Sequence, residues 1–202
     1  MKKYIISSAA LAISALIYAC NNPEKSTQDA SDTTTRITET DTIASYDSAT
    51  MVRDAADTAS NPAIVFAAKA GAGGMMEVQL GTLAQTSALN PRVKNFGKMM
   101  VNDHSKANKE LTALASGKNF NIPSTMPVPL QNHINELKKF KAEEFDKRYM
   151  DMMVDDHKED ISLFEEAAAN SKDADIKAFA AKTLPILKMH LDSAKAIKDA
   201  LK

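Results

Sequence analysis

Glu77, His104, His157 and His190 are the side chains of this sequence whose types and spacing suit chemistry at a shared site. The stretch Met99-Met100-Val101-Asn102-Asp103-His104 recurs as Met152-Met153-Val154-Asp155-Asp156-His157, with a single change of Asn to Asp. Aligning the copies also pairs Phe96 with Tyr149, Leu111 with Phe164 and Ala115 with Ala168. The repeat points to two helices of one bundle that each bring an Asp-His pair to the same level. Asp103, Tyr149, Asp156 and Asp160 belong to the same neighbourhood.

Such a layer has two chemical solutions. Neutral imidazole and carboxylate are good ligands for zinc, iron, manganese or copper. The ligands would be Glu77, His104, His157 and His190. Asp103, Tyr149, Asp156 and Asp160 would stand behind them and orient the imidazoles. Alternatively, the groups close a buried hydrogen-bond network, with Glu77 ionised and one or more histidines protonated, and no cofactor is needed. One of the two must hold, because each unsatisfied buried neutral group costs roughly 1–3 kcal/mol and a charge costs more. Met75, Met76, Met99, Met100, Met152, Met153 and Met189 lie within about a turn of the layer. Thioethers favour Cu(I), but methionine is also flexible core filler, and packing is the expected role. His133 lies away from the layer and is expected at the surface.

The elements that must position these groups are helices. The composition is rich in Ala, Lys, Asp, Leu and Met, and it lacks Trp, which favours helix over sheet. Asn61-Pro62 and Asn90-Pro91 each place a capping Asn before a first-turn Pro and open two long helices. Gly117 closes the second. The segment 121–129 holds Pro123, Pro127 and Pro129 and reads as a loop, followed by a shorter amphipathic helix over 130–140. A third long helix spans 142–170. Residues 171–173 cap a fourth that runs to the C-terminus.

Each long helix shows one apolar stripe at steps of three or four. Helix one has Phe66, Ala70, Gly73, Glu77, Leu80 and Ala84. Helix two has Val93, Phe96, Met100, His104, Ala107, Leu111 and Leu114. Helix three has Phe145, Tyr149, Met153, His157 (or Asp156), Asp160, Phe164 and Ala167. Helix four has Ile176, Phe179, Thr183, Ile186, His190, Ala194, Ile197 and Leu201. Every stripe is interrupted by a polar residue near its midpoint, and antiparallel packing brings midpoints to one level. The expected fold is an all-α, antiparallel four-helix bundle with a short helix in the crossover between helices two and three. Gly71, Gly73 and Gly74 would loosen helix one near Glu77. Pro185 should disturb helix four.

The N-terminus reads as a targeting segment. Lys2 and Lys3 precede an apolar run from Tyr4 to Ala19, too short to span a bilayer comfortably. The sequence Leu16-Ile17-Tyr18-Ala19-Cys20 resembles the lipobox of bacterial lipoproteins, which implies cleavage before Cys20 and acylation of that residue. Residues 1–19 are then a lipoprotein signal peptide. Cys20 is the sole cysteine, so no internal disulfide can form. Asn21 after the cysteine favours the outer membrane. Residues 20–60 read as the lipidated cysteine plus a disordered Ser/Thr/Asp-rich tether, and residues 61–202 as the bundle domain. Within the tether, the runs beginning at Asp32, Asp41, Asp47 and Asp57 resemble a periplasmic O-glycosylation motif, with acceptors Thr33, Thr42, Ser48 and Thr58.

Further runs carry a family resemblance. They are Met76-Glu77-Val78-Gln79-Leu80-Gly81-Thr82-Leu83-Ala84, Met100-Val101-Asn102-Asp103-His104, Phe145-Asp146-Lys147-Arg148-Tyr149 with Asp156-His157, and Leu184-Pro185 with His190-Leu191. Over nearly all of residues 61–202 the chain resembles the bacterial domain of unknown function 4142 family. The resemblance implies a ferritin-like four-helix bundle and an outer membrane protein, with no established activity. The di-iron ferritin-like enzymes carry Glu-x-x-His twice, and this sequence has none, so an enzyme is not the first expectation. The expectations are a lipid-anchored envelope protein that binds a transition metal for buffering or stress protection, a structural or interaction protein with a polar network, or a metal-dependent redox enzyme. A formal charge of -1 lends no support to a nucleic-acid partner. The expected partner is the membrane, reached through lipidated Cys20.

Overall fold

The computed structural model describes residues 61–118, 120 and 122–201. Cys20, Thr33, Thr42, Ser48 and Thr58, with the signal and tether segments, lie outside the described residues. Five helices follow one another: α1 (Pro62–Ser87), α2 (Pro91–Ser116), α3 (Val128–Leu137), α4 (Ala142–Asn170) and α5 (Ala174–Asp199). The fold is an all-α bundle, as the helical periodicities predict.

The starts of the helices follow from their caps. The Asn61 side chain accepts from the Ala63 N–H at 3.0 Å, and that of Asn90 accepts from the Arg92 N–H at 2.9 Å. Asp173 accepts from the N–H groups of Asp175 and Ile176 at 3.0 and 3.1 Å. Each satisfies a donor that the first helical turn leaves free. Gly117 does end α2, but in a right-handed conformation with φ -64°. No left-handed cap is involved. The short helix begins and ends earlier than the sequence suggests, because Pro129 is compatible with its first turn. Pro185 lies within α5 without ending it. Both Pro185 and Ala181, whose carbonyl loses its partner, are exposed, so water can satisfy the gap.

Helices α1 and α2 pack as one hairpin and α4 with α5 as another. The seams between hairpins, α1 against α4 and α2 against α5, are looser. Within the first hairpin the backbones of α1 and α2 approach each other at two glycines. A Cβ on Gly81 would stand 2.5 Å from the Gly97 carbonyl oxygen, and one on Gly97 would stand 2.7 Å from that of Gly81. These two glycines bring α1 and α2 together, and Gly74 also leaves room for the Asn108 side chain of α2.

The core has two parts. One apolar cluster contains Leu80, Phe96, Met100, Phe145, Tyr149 and Met153, together with Ile134 and Leu137 of α3. The other contains Phe66, Leu111, Phe164, Ile176, Phe179 and Leu187. The polar residues at the helix midpoints separate them. In α5 the stripe passes through Leu187, 2% exposed, rather than Ile186, 39% exposed. The step from Thr183 to His190 is four then three, not three then four.

A buried carboxylate that the sequence reading did not single out holds the two hairpins in register. Asp146 of α4 accepts from the Leu89 N–H at 3.0 Å and from the Asn90 N–H at 2.7 Å, in the link between α1 and α2. Replacing Asp146 by Ala strands both amides, and we expect a loss of about 1–3 kcal/mol. Urea denaturation would measure it, and an unchanged midpoint would show that water replaces the carboxylate without cost.

Candidate metal centre

All four midpoint residues are buried: Glu77 is 1% exposed, His104 6%, and His157 and His190 0%. Each comes from a different long helix, as the stripes require. The three imidazole rings surround one another, with centroids 5.7 Å apart for His104 and His157, 5.4 Å for His104 and His190, and 5.3 Å for His157 and His190. One ring nitrogen from each lies within 4.8 Å of those of the other two.

Each imidazole is held by one nitrogen. His157 Nδ1 lies 2.9 Å from the Met153 carbonyl oxygen, one helical turn back. A carbonyl only accepts, so Nδ1 carries the proton and Nε2 keeps a bare lone pair. His190 Nε2 lies 2.9 Å from Asp103 Oδ2 across the α2–α5 seam. A carboxylate there leaves His190 Nδ1 bare. Glu77 Oε2 lies 2.7 Å from His104 Nδ1, and Oε1 lies 3.5 Å from His157 Nδ1. Neither Glu77 oxygen makes a well-aligned hydrogen bond, so the contact is an off-axis approach of carboxyl to ring. The remaining nitrogens, His104 Nε2, His157 Nε2 and His190 Nδ1, are buried without a partner.

Burial dominates the electrostatics. It pushes the His157 imidazole down to about 3, helped by the neighbouring rings of His104 and His190. His104 and His190 are lowered for the same reason, against the opposing pull of Asp160 and Asp103 on the first and Asp103 on the second. All three rings are therefore neutral at neutral pH, which is the ligating form. Burial raises Glu77 to about 8, with the neighbouring Asp160 opposing the rise. Burial, reinforced by the Glu77 charge, pushes Asp156 and Asp160 well up. Tyr149 is likewise raised by burial, with Glu77 and Asp156 adding to it.

The expected site residues thus fall into separate roles. His104, His157 and His190 form the group of donors. Glu77, expected as a fourth ligand, stands on the Nδ1 side of His104 and His157 and braces those rings. Asp103 does the same for His190. Asp160 supports Glu77. The Tyr149 hydroxyl and Asp156 Oδ2 are buried without a partner and touch no imidazole nitrogen among the contacts of the described residues. His133 is exposed on α3. Met76, Met100 and Met153 are packed in the apolar cluster, while Met189 is 46% exposed. The Met153 carbonyl was not anticipated, although the four-residue spacing of Met153 and His157 carried the signal. Phe96 was read only as core, yet it lies edge-on to His157 and His190 at centroid distances of 6.3 and 6.5 Å.

Residues 48–197 match the family described as Domain of unknown function (DUF4142). The chain belongs to that family. A solved structure described as "CopM in the Cu(II)-bound form" is similar to this DUF4142 chain. Its TM-score is 0.60 at 11% sequence identity, and the match covers 69% of this chain and 97% of that one. At that identity the likeness shows a shared fold. No curated protein matches the chain. Among the described residues, no helix is long and apolar enough to cross a membrane.

Proposed function

We propose that this DUF4142 protein binds one transition metal ion through His104, His157 and His190, and serves metal buffering or stress protection in the cell envelope. The observation that carries this reading is the set of three buried imidazole nitrogens without partners, each on a ring whose other nitrogen is already held. A network meant only to fix helix register would leave no buried ring nitrogens without partners, because each costs desolvation with nothing in return. A metal takes up all three at once. The pattern of imidazole ligands braced by carboxylate or carbonyl is how proteins orient histidines toward a metal.

Imidazole suits copper, zinc, iron and nickel. Copper is the first ion to test, because CopM, a protein of similar architecture, is described with Cu(II) bound. Glu77, Asp103 and Asp160 act behind the ligands, and the buried methionines pack. The lipobox-like sequence ending at Cys20 supports an outer-membrane anchor facing the periplasm, with residues 20–60 as its tether.

Elemental analysis of the purified chain, made without a His tag and dialysed without chelator, tests the reading. About one copper, zinc, iron or manganese per chain is expected, together with a loss of thermal stability on chelation. No metal, and no thermal shift on adding any of these ions, would leave the layer as a hydrogen-bond network.

A further inference from the structure

Three imidazoles supply three donors, and a four-coordinate ion has one position more. Among the described residues no other His, Cys, Asp or Glu joins the donor group. Three sides of the site are shut. Phe96 packs edge-on against His157 and His190, with buried Met100 and Met153 in the same apolar cluster. On the seam between α1 and α4, a cavity of about 260 Å³ reaches Glu77 but none of the histidines. Glu77 itself stands between that cavity and the rings of His104 and His157. Toward the second apolar cluster lies only a space of about 20 Å³, touching His104 and Thr183. That is room for about one water.

The fourth side is different. On the seam between α2 and α5, a cavity of about 90 Å³ is lined by His104 and His190 themselves, with Asp103, Thr183 and Leu187. The space therefore suits a few waters or one ligand of a few heavy atoms. Lys106, Asp103, Glu110 and Lys182 share this wall. The acids and bases balance, and Lys182 meets Glu110 at 2.7 Å. A neutral or singly negative ligand therefore meets no net opposing charge.

We propose that the α2–α5 seam admits a small exogenous ligand, neutral or monoanionic, to the open coordination position of the ion held by the three histidines. This rests on the metal-binding reading above. It makes the centre one that exchanges ligands, of the kind that keeps an open position, rather than a closed structural site. Water, a halide or a peroxide fits the space, and a large organic molecule does not.

Azide is the probe. The full chain is loaded with Cu(II) and titrated with azide, and azide-to-copper charge-transfer absorption is followed. One azide per copper is expected, with copper retained. Ile186, 39% exposed, lines the outer part of the cavity. Ile186→Trp should keep the copper and the fold while weakening azide binding at least tenfold. Stoichiometric copper without an azide band would overturn the inference and leave the metal site standing. So would azide binding indifferent to Ile186→Trp. A chain that takes up no copper would overturn the metal reading, and this inference with it.

Discussion

His157→Ala is expected to abolish stoichiometric metal uptake, and His133→Ala is expected to leave it intact. The difference follows from placement. His157 is 0% exposed and offers a bare Nε2 to the group, while His133 is exposed on α3. His104→Ala should behave as His157→Ala does, because two imidazoles alone cannot enclose the ion. Inductively coupled plasma spectrometry on the variants reads the stoichiometry. Equal metal content in all three variants would rule out a shared site. In the metal-free state the same substitutions should also cost stability, because each leaves a cavity where a buried ring stood, so metal content is the readout that separates a ligand from a merely packed histidine.

Metal affinity is expected to rise with pH up to about 8, and Glu77→Gln is expected to flatten that rise. The Glu77 carboxyl, raised to about 8 by burial, holds a proton at neutral pH in the metal-free protein. For His104 to offer Nε2, its own proton must sit on Nδ1, and the ionised Glu77 carboxylate receives that proton's hydrogen bond better than the neutral acid does. Metal binding then expels a proton, and each expelled proton steepens affinity by up to about tenfold per pH unit. Glutamine can accept from Nδ1 through its carbonyl oxygen but has no proton to lose. Calorimetry in buffers of different ionisation enthalpy measures the released proton directly. A wild-type affinity that does not vary between pH 6 and 8 would remove Glu77 from this role.

The metal-free fold has its own pH dependence, with two opposed parts. Glu77 is raised from 4.5 to about 8, so the folded form binds more protons across that window, and stability falls as pH rises through it. His157 is lowered from 6.5 to about 3, so the unfolded form binds more protons there, and stability falls as pH drops through it. Where the windows overlap the slopes of these two groups oppose each other, so their joint contribution is greatest between about 4.5 and 6.5, while the raised Asp156 and Asp160 favour the acid side and the lowered His104 and His190 the other. Metal should extend that stability upward in pH.

The four long helices, the side-chain caps that open three of them and the level of the polar layer were determined by the sequence. Side-chain periodicity reports which face of a helix turns inward, and Asn-Pro starts report where it begins. Both act within a turn or two of chain. The repeated Met-Met-Val-Asx-Asp-His was enough to place His104 and His157 at one height. Periodicity does not resolve neighbours on a stripe, and so Leu187 rather than Ile186 is buried in α5. It says nothing of which ring nitrogen is free, because that depends on side-chain rotamers and on partners distant in sequence. Only the packing of α2 against α5 sets Asp103 on His190 Nε2. Only the packing of α1 against α2 and α4 sets Glu77 against the Nδ1 edges of His104 and His157. Likewise, the Gly81–Gly97 approach and the Asp146 clasp on the Leu89 and Asn90 amides join segments whose contact is a property of the folded bundle. Tertiary structure thus decided the chemistry of the layer, since ligation turns on the direction of a lone pair, which a one-dimensional pattern of residue types does not encode.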